Sequence, residues 1–503
     1  MRTVLLCVFG VSLGMTYAAQ EAETWQGSFQ SKDLWGGMEM ELTQGPGGEI
    51  SVRARFTPQG HLEAPVAKET RISQNRISFV AHINGADYRF EGTRKRDAWE
   101  GTVQGAAATG TWNVTRLHPK EDGNGVLPTP SGPNAIGRVA FDWTDDSRPE
   151  LETLDPQDHR RIMVYLFYPA QRSGQAETTA YIPDVDEMRG EWSEQQIVAT
   201  RRVKTHSIAA APCRRNGRPF PVVIFAPGGG QKALSYTAIL EDLASHGFVV
   251  AAIDPPYNAA SARFSDGTVL RKLPPAKRGW EVPATRDDMP RIYEQMVVHW
   301  ARDMSFVLDR LADLNRSDSR FSGRFDLEKV GAMGHSRGGQ AAGKVRLMDS
   351  RFDAGLNLDG NIRGRAFPPD SKAGAIDGGR TPFLWLEKQL PWPKKDLDGL
   401  TLEQFADMWA NGDRLMQAIA SESIRIQIAR PEIDHLDFGD TAILSDSINE
   451  QALRGKERTL TLTRLIVDTF FDSHLKGGDI RRLDRLATTY PEIKLKRYTP
   501  TMK

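Results

Sequence analysis

Residues 334–339 of this chain read Gly-His-Ser-Arg-Gly-Gly and contain the pattern G-x-S-x-G, in which a serine occupies a sharp turn between a strand and a helix. The apolar run 330–333 before the pattern predicts the strand, and residues 340–347 can form the helix. The pattern also occurs by chance in ordinary glycine-rich turns, but these flanking elements favour a catalytic serine. Ser336 is therefore the predicted nucleophile of an acyl-transfer reaction.

A serine hydroxyl is a weak nucleophile near neutral pH and needs a histidine base that is itself oriented by a carboxylate. After Ser336 the chain has two histidines, His435 and His474. His435 follows the predicted strand 424–429 by a short loop, which places it at the carboxyl edge of a parallel sheet, where ligands bind. His474 lies in a segment that predicts a C-terminal amphipathic helix, so a surface or capping role fits it better. We therefore predict His435 as the base.

Two carboxylates are candidates for the acid that orients this base. Asp359 follows the predicted strand 354–358, and Glu387 follows the predicted strand 382–386, which is the commoner place for the acid. Either could instead be a surface carboxylate that caps a loop. Position in the sequence does not separate the two.

Short apolar runs alternate with helical patterns over most of the chain. Alternation of this kind predicts a mostly parallel α/β sheet flanked by helices. The helices are predicted from apolar residues three or four positions apart, and the strands from short continuous apolar runs. The predicted strands are 161–168, 220–226, 248–253, 330–333, 354–358, 382–386 and 424–429, and the predicted helices are 239–247 and 288–314.

The first part of the chain has a different period. Residues 22–117 consist of short alternating segments separated by turns, and Asn84 and Gly85 form a strong hairpin signal, so this region predicts a small antiparallel β domain. Its role could be a lipid- or glycan-binding barrel or a packing module that shields or positions the rest. The Pro- and Gly-rich residues 118–134 predict a linker, and 135–503 the α/β domain.

Charge and the N-terminal residues limit the protein class. The 503 residues include 65 basic and 65 acidic ones, so the global basic excess of a nucleic-acid binder is absent. Arg2, the apolar run 4–14 and a small-residue cleavage site predict a signal peptide at 1–18, and hence export to the periplasm or the medium. No later run is long and apolar enough to suggest an integral membrane segment.

Cysteine usage limits the cross-links. After removal of residues 1–18 only Cys213 remains, so no intramolecular disulfide can form. Histidines and cysteines do not cluster at ligand spacing, and we therefore expect no metal site and no cofactor.

Five segments together resemble one family. They are 225–230 (FAPGGG), 243–254 (LASHGFVVAAID), 303–311 (DMSFVLDRL), 334–339 (GHSRGG) and 356–360 (LNLDG). Over about residues 150–480 the chain is similar to the platelet-activating-factor acetylhydrolase and dienelactone-hydrolase-like branch of the α/β hydrolases. The resemblance implies the α/β-hydrolase fold, with the acid in a Leu-Asp-small motif, which favours Asp359 over Glu387. It also implies His435, in its loop followed by Asp437 and Phe438, as the base.

A tetrahedral oxyanion needs two backbone donors, one directly after the nucleophile and one after an early strand. Arg337 supplies the first amide, and the resemblance puts the second at Gly229, in the loop 228–230. A phosphate-binding loop is the weaker interpretation, because no G-x-G-x-x-G or G-K-[ST] pattern is present. Two residues depart from the family pattern, Pro227 in place of a histidine and Arg337 in place of a hydrophobic residue. The arginine could attract an acidic substrate, but pairing with a nearby carboxylate is the simpler expectation.

These observations predict an exported serine carboxylic ester hydrolase that acts through an acyl-enzyme on a small or lipid-like ester. Its catalytic residues would be Ser336, Asp359 and His435, with the oxyanion held by the amides of Gly229 and Arg337. Two alternatives stay open, an amidase or peptidase with the same triad and an inactive hydrolase scaffold whose β domain binds a ligand.

Overall fold

The structure, a computed structural model, describes residues 23–498 with the exception of 31–34, 45–49, 59–67, 74, 84–85, 96–97, 106–107, 117–126, 172–176, 190–191, 193, 216, 258–260, 272–288, 362–380, 390–401, 420, 431–432 and 441–449. Contacts divide the chain into a smaller unit, Met1–His118 with Ser447–Glu450, and a larger unit, Pro119–Asp446 with Gln451–Lys503. The predicted signal peptide at 1–18 and the hairpin residues Asn84 and Gly85 lie outside the described residues. The domain boundaries drawn from the sequence stay predictions.

The smaller unit is an antiparallel sheet of eight strands, in the spatial order β3-β2-β1-β8-β7-β6-β5-β4. The strands are β1 (Glu23–Gln30), β2 (Trp35–Gln44), β3 (Ile50–Pro58), β4 (Lys68–Ile72), β5 (Arg76–Ile83), β6 (Ala86–Lys95), β7 (Ala98–Gln104) and β8 (Thr109–Arg116). Consecutive strands pair as hairpins within β1–β3 and within β4–β8, β1 pairs with β8, and β3 and β4 form the two ends of the sheet. The predicted small antiparallel β domain is thus present.

Aromatic side chains fill the core of the smaller unit. Alternate residues of β5 are buried, as expected for a strand with one face on a core. Phe79 and Phe90 are direct cross-strand partners, and their rings stack with centroids 4.9 Å apart. Trp112 meets both rings edge-on, at 6.2 and 6.1 Å. These large rings bury much apolar area and pack in the offset and edge-to-face arrangements that aromatic pairs prefer.

The larger unit contains an eleven-stranded sheet in the order β11-β12-β9-β10-β14-β13-β17-β18-β19-β20-β21, and β15 pairs with β16 in a separate ribbon. The strands are β9 (Ala135–Pro149), β10 (His159–Ala170), β11 (Thr178–Ala180), β12 (Lys204–Ala209), β13 (Phe220–Ala226), β14 (Val249–Asp254), β15 (Ser261–Arg263), β16 (Val269–Arg271), β17 (Phe325–His335), β18 (Ala354–Leu358), β19 (Phe383–Lys388), β20 (Ser423–Ile428) and β21 (Ile493–Tyr498). In the spatial order of this sheet, the neighbouring strands β14-β13-β17-β18-β19-β20 run parallel. Antiparallel pairs flank this parallel part on both sides.

Helices cover both faces of this sheet. They are α1 (Glu194–Arg202), α2 (Thr237–Ser245), α3 (Met289–Ser317), α4 (Arg337–Met348), α5 (Leu402–Gln417), α6 (Glu450–Lys476) and α7 (Arg482–Thr489), with short 3-10 turns at Val185–Met188, Ala233–Tyr236 and His435–Phe438. Val223 and Phe225 of β13 pack in one apolar cluster with residues of α2 and α6. Val222 and Ile224 pack in a second cluster with residues of α3 and α4. A strand that is apolar on both faces belongs in the interior of a parallel sheet, as predicted.

Part of the predicted linker packs on the larger unit. Leu127 is fully buried in the core of that unit. The Ser131 amide donates to the Asp242 carboxylate at 2.7 Å, and the Gly132 amide donates to the Ser245 hydroxyl at 2.9 Å. Among the helices that the structure describes, none is both long and apolar enough to cross a membrane.

Candidate active site

Ser336 occupies the turn between β17 and α4, with backbone angles φ 54° and ψ −118°. Few residues other than glycine adopt such angles, and this strain is typical of a nucleophile elbow. A side chain at Gly334 would begin 2.2 Å from the Gly338 carbonyl carbon, and one at Gly338 would begin 2.1 Å from the Ala226 carbonyl oxygen. The two glycines of the pattern are therefore required by close backbone contacts across the turn.

Asp359 directly follows β18 and also has a positive φ, 50°. The Asn357 side chain holds this turn, because its Oδ1 accepts from the Gly360 amide at 2.8 Å and its Nδ2 donates to the Gly360 carbonyl at 3.1 Å. The Asp359 carboxylate oxygen Oδ1 accepts from the Lys388 amide at 2.9 Å. One carboxylate oxygen is thus fixed by the backbone of the neighbouring strand.

The other oxygen of Asp359 meets His435. The distance between Asp359 Oδ2 and His435 Nδ1 is 2.6 Å. Because a carboxylate accepts and does not donate, Nδ1 carries the proton, and Nε2 of the neutral ring keeps its lone pair. The Asp359 side chain is 9% exposed and that of His435 is 39% exposed, so the carboxylate is shielded while the imidazole can reach a substrate.

A short capped turn carries His435. The Asp434 side chain accepts from the His435 amide at 2.6 Å, and Asp437 in turn accepts from the Asp434 amide at 2.9 Å. Lys456 of α6 lies 2.5 Å from the Asp437 carboxylate, and Phe438 is fully buried. This reciprocal capping fixes the loop from both sides.

The nucleophile turn and the His435 loop meet through His335. Its Nε2 lies 2.8 Å from the His435 carbonyl oxygen, and the centroids of the two imidazole rings are 4.5 Å apart. On its other side His335 Nδ1 lies 2.7 Å from the Tyr236 hydroxyl. Neither His335 nor Tyr236 was identified as a site residue from the sequence, although His335 lies inside the G-x-S-x-G pattern itself. The structure thus brings His435 beside the residue that precedes Ser336.

The second candidate acid lies in a different environment. Glu387 is buried and forms an ion pair with Arg425 at 2.6 Å, and it also accepts from the Gln427 side chain at 2.9 Å. The second candidate base, His474, packs edge-on against Phe470 and lies 3.5 Å from Glu422. Burial, followed by the charge of Arg497, lowers the pKa of His474 to about 4. The contacts of Glu387 and His474 are those of structural residues.

The loop after β13 faces the start of α4. An alanine Cβ at Gly229 would lie 3.4 Å from the guanidinium carbon of Arg337, so the arginine side chain covers this loop. The guanidinium also lies over the rings of Tyr293 and Trp300, at 5.4 and 5.3 Å from their centroids. Such cation–π contacts hold the side chain in place, and they were not predicted.

A buried ion cluster anchors the end of the same loop. Lys232 Nζ lies 2.8 Å from Asp184 and 3.5 Å from Asp254, and all three residues are buried. The Ala233 amide donates to Asp254 at 2.5 Å. Burial raises the pKa of Asp254 to about 6, although the Lys232 charge opposes the rise. In the part of the chain that the structure describes, no His, Cys, Asp and Glu side chains form a group that could hold a metal ion.

The sequence model of the family described as "Platelet-activating factor acetylhydrolase, isoform II" matches residues 123–363, which contain Gly229, Ser336 and Asp359 and end before His435. A probable 1-alkyl-2-acetylglycerophosphocholine esterase of Arthroderma benhamiae is 24% identical over 395 residues, which cover 73% of this chain and 93% of that protein. The platelet-activating factor acetylhydrolase of Bos taurus is 26% identical over 264 residues, or 47% of this chain, and the match spans about half of that relative (55%).

Among solved structures, the ferulic acid esterase of Streptomyces cinnamoneus superposes with a TM-score of 0.56 and 27% sequence identity. The superposition covers 74% of this chain and 98% of the esterase. The family resemblance drawn from the sequence is therefore confirmed: the chain is similar to the platelet-activating factor acetylhydrolases and is a carboxylic ester hydrolase of the α/β-hydrolase fold.

Proposed function

We propose that this protein is an exported serine esterase that cleaves a small or lipid-like carboxylic ester through an acyl-enzyme. Ser336 is the nucleophile, His435 the general base, and Asp359 the acid that orients the base. The observation that carries this proposal is the 2.6 Å contact between Asp359 Oδ2 and His435 Nδ1, next to a serine on a strained turn. A buried carboxylate, an accessible imidazole and an elbow serine are the three groups that acyl transfer requires.

In the first half of the reaction, His435 Nε2 takes the proton of the Ser336 hydroxyl while the serine oxygen attacks the ester carbonyl. The Asp359 carboxylate keeps the Nδ1–H tautomer and stabilises the imidazolium that forms. The Lys388 amide holds the other carboxylate oxygen, so Asp359 cannot rotate away without losing that bond. His435 then gives its proton to the leaving alcohol, and the acyl group stays on Ser336.

The developing oxyanion is stabilised by two backbone amides, those of Arg337 and Gly229. Arg337 is the first residue of α4, where helix amides have no partner within the helix and the helix dipole favours negative charge. Gly229 is held against the Arg337 side chain. In the second half of the reaction, water activated by His435 attacks the acyl-enzyme, and the same two amides stabilise the second oxyanion.

The relatives suggest the class of ester. The fungal protein is named as a probable esterase of 1-alkyl-2-acetylglycerophosphocholine, the bovine protein as an acetylhydrolase of platelet-activating factor, and the solved structure as a ferulic acid esterase. We therefore propose an ester with a small acyl group or a lipid-like alcohol as the substrate of this chain.

Export is proposed from residues 1–18 alone. N-terminal sequencing of the secreted or periplasmic protein should give a start near Ala19, and an unprocessed Met1 would contradict export.

Covalent labelling tests the nucleophile directly. A fluorophosphonate should modify the wild-type protein at Ser336, as identified by peptide mass spectrometry, because only an activated serine reacts. His435→Ala should abolish labelling, whereas His474→Gln should be labelled like the wild type. An unlabelled wild type, or label on another serine, would remove Ser336 from the mechanism.

An ester and an anilide of the same acyl group distinguish the esterase from an amidase, and we expect the ester to react far faster.

A further inference from the structure

His335 is wedged between the two loops that the proposed reaction needs. It is 1% exposed, and its ring contacts both the loop after β13 and the loop that carries His435. A Cβ atom on Gly228 would lie 2.8 Å from His335 Nδ1, so the loop backbone rests directly against the ring. At the other ring nitrogen, Nε2 lies 2.8 Å from the His435 carbonyl oxygen.

The hydrogen bonds around His335 have only one consistent direction. The His435 carbonyl can only accept, so His335 Nε2 carries the proton and donates it. Nδ1 then has a lone pair, which accepts from the Tyr236 hydroxyl at 2.7 Å. The Tyr236 oxygen in turn accepts from the Gly228 amide, at a longer distance of 3.4 Å. One hydrogen-bond chain, Gly228–Tyr236–His335–His435, therefore joins the loop after β13 to the backbone of the base.

The local environment keeps this chain in one protonation state. Burial raises the pKa of Tyr236, so its hydroxyl keeps the proton that it donates. Burial, and secondly the neighbouring His435, hold the pKa of His335 well below its ordinary value. A charged His335 would present two N–H donors, and Tyr236 could then no longer donate to it. The chain requires the neutral ring.

We infer that Tyr236 and His335 are positioning residues of the proposed esterase. They set the distance between His435 and the loop after β13, which carries the proposed oxyanion donor Gly229, without touching the substrate. This inference rests on the proposed function. His335 cannot itself act as a base, because its Nε2 proton is bound to the His435 carbonyl and its Nδ1 faces Tyr236. Its effect is geometric, since a shift of about 1 Å between reacting groups can lower a rate by about a hundredfold.

Replacement of the Tyr236 hydroxyl tests the chain, with a matched control elsewhere in the unit. Tyr236→Phe should lower kcat about 10- to 100-fold and leave KM within about twofold, because ground-state binding of the ester does not depend on the spacing. Tyr168 is equally buried, and its hydroxyl also donates a 2.7 Å hydrogen bond, to the Ala211 carbonyl. Tyr168→Phe should therefore lower the thermal midpoint as much and leave kcat unchanged. Equal kcat values in the two variants would overturn the inference.

Two amide replacements separate the two ends of the ring. The Nε2 group of a glutamine can take the place of the imidazole Nε2 and still donate to the His435 carbonyl, whereas an asparagine oxygen can replace only Nδ1. We expect His335→Gln to keep more of kcat than His335→Asn, with both variants folded to the same extent by thermal melting. If the asparagine variant were the more active one, the contact with the His435 carbonyl would not be the important one.

A measurement without turnover separates this inference from the proposed function. In the protein with ¹⁵N-labelled histidine, His335 should be neutral with its proton on Nε2 throughout pH 6 to 8, and Tyr236→Phe should shift its Nδ1 resonance. A charged ring or an Nδ1–H tautomer would disprove the hydrogen-bond chain. A wild type with the expected His335 tautomer that hydrolyses no ester would disprove the positioning role together with the esterase, but it would leave the chain itself intact.

Discussion

The two units bury side chains of different kinds. In the smaller unit every side chain that the structure describes as buried is apolar, with Trp25, Trp99 and Trp112 among the largest. The larger unit has extended apolar clusters as well, but it also buries ion pairs such as Lys232 with Asp184, and Glu387 with Arg425. It is there that Ser336 and Asp359 adopt positive φ angles at the ends of neighbouring strands.

Apolar packing mainly stabilises a unit, whereas buried charges position the loops in which chemistry can take place. Apolar packing has little directionality and mainly holds a sheet together, whereas a buried charge must have a partner in a fixed place. Such fixed partners determine where the loops at the sheet edge lie, as Asp254 does for the loop end at Lys232 and Ala233.

Loss of the nucleophile should have the largest effect and should fall on activity alone. Ser336→Ala is expected to lower kcat by about four to six orders of magnitude, because the covalent step is lost. The thermal midpoint should stay near that of the wild type, since the hydroxyl forms no part of the apolar core. Hydrolysis of a nitrophenyl acetate and a melting curve check both expectations. Residual activity within about a hundredfold of the wild type would contradict the assignment.

The two candidate acids should respond in opposite ways. Asp359→Asn should lower kcat by about 10⁴-fold with little change in stability, because the amide no longer fixes the His435 tautomer. Glu387→Gln should instead lower the free energy of unfolding by roughly 1–3 kcal/mol, because the buried Arg425 loses one of its charged partners and keeps Asp413, while kcat of the folded protein persists. Urea unfolding and steady-state kinetics on both variants measure this contrast. A large kcat loss in Glu387→Gln would make Glu387 the acid.

A cavity in the smaller unit should affect stability alone. Phe90→Ala removes a fully buried ring that stacks on Phe79, and we expect a loss of about 3–5 kcal/mol in the free energy of unfolding of that unit. Hydrolysis of a short ester should keep its kcat. Denaturant unfolding followed by tryptophan fluorescence measures the free energy of unfolding. Phe90→Leu leaves a smaller cavity and should lower this free energy less than Phe90→Ala does. A parallel fall in kcat would show that the smaller unit takes part in catalysis.

The buried Asp254 should give the smallest effect, a dependence of stability on pH. Its pKa of about 6 in the folded protein is above the ordinary value, so the folded state binds the proton more tightly than the unfolded state. Its contribution to stability is therefore greatest below about pH 4 and falls as the pH rises to 6, by roughly 3 kcal/mol at most. The stability of the wild type relative to Asp254→Asn should decrease between pH 4 and pH 7. A difference that does not change with pH would contradict the raised pKa.

The fold could be predicted where the pattern is local. The apolar period of α3 gave residues 288–314, close to the observed Met289–Ser317, and the hairpin of β5 and β6 pairs Ile83 with Ala86 as a two-residue connection requires. Strand β21, with the sequence IKLKRY, is absent from the predicted strands, because it mixes apolar and basic side chains and has no continuous apolar run. It lies at the end of the sheet order, where a strand does not need to be apolar on both faces.

The candidate site was predictable in part for the same reason. The serine turn depends on residues close together in the sequence, and Gly334 and Gly338, two positions before and after Ser336, indicate it. Asp359 and His435 are far apart in the chain, and only the family resemblance favoured Asp359 over Glu387. Glu387 differs from Asp359 in its pairing with Arg425 of the neighbouring strand, and no local sequence pattern reports such a pairing. Tyr236 was missed because its role depends on a contact with His335, a residue distant in sequence.

The contact between Gly229 and Arg337 constrains how this enzyme can be redesigned. The guanidinium occupies the space next to Gly229, where the Cβ of an alanine would already be in van der Waals contact with it. A larger residue at position 229 and the stacking of the arginine on Tyr293 and Trp300 therefore compete for the same space, which a shorter residue at position 337 would open. Libraries at these positions should therefore vary both codons together.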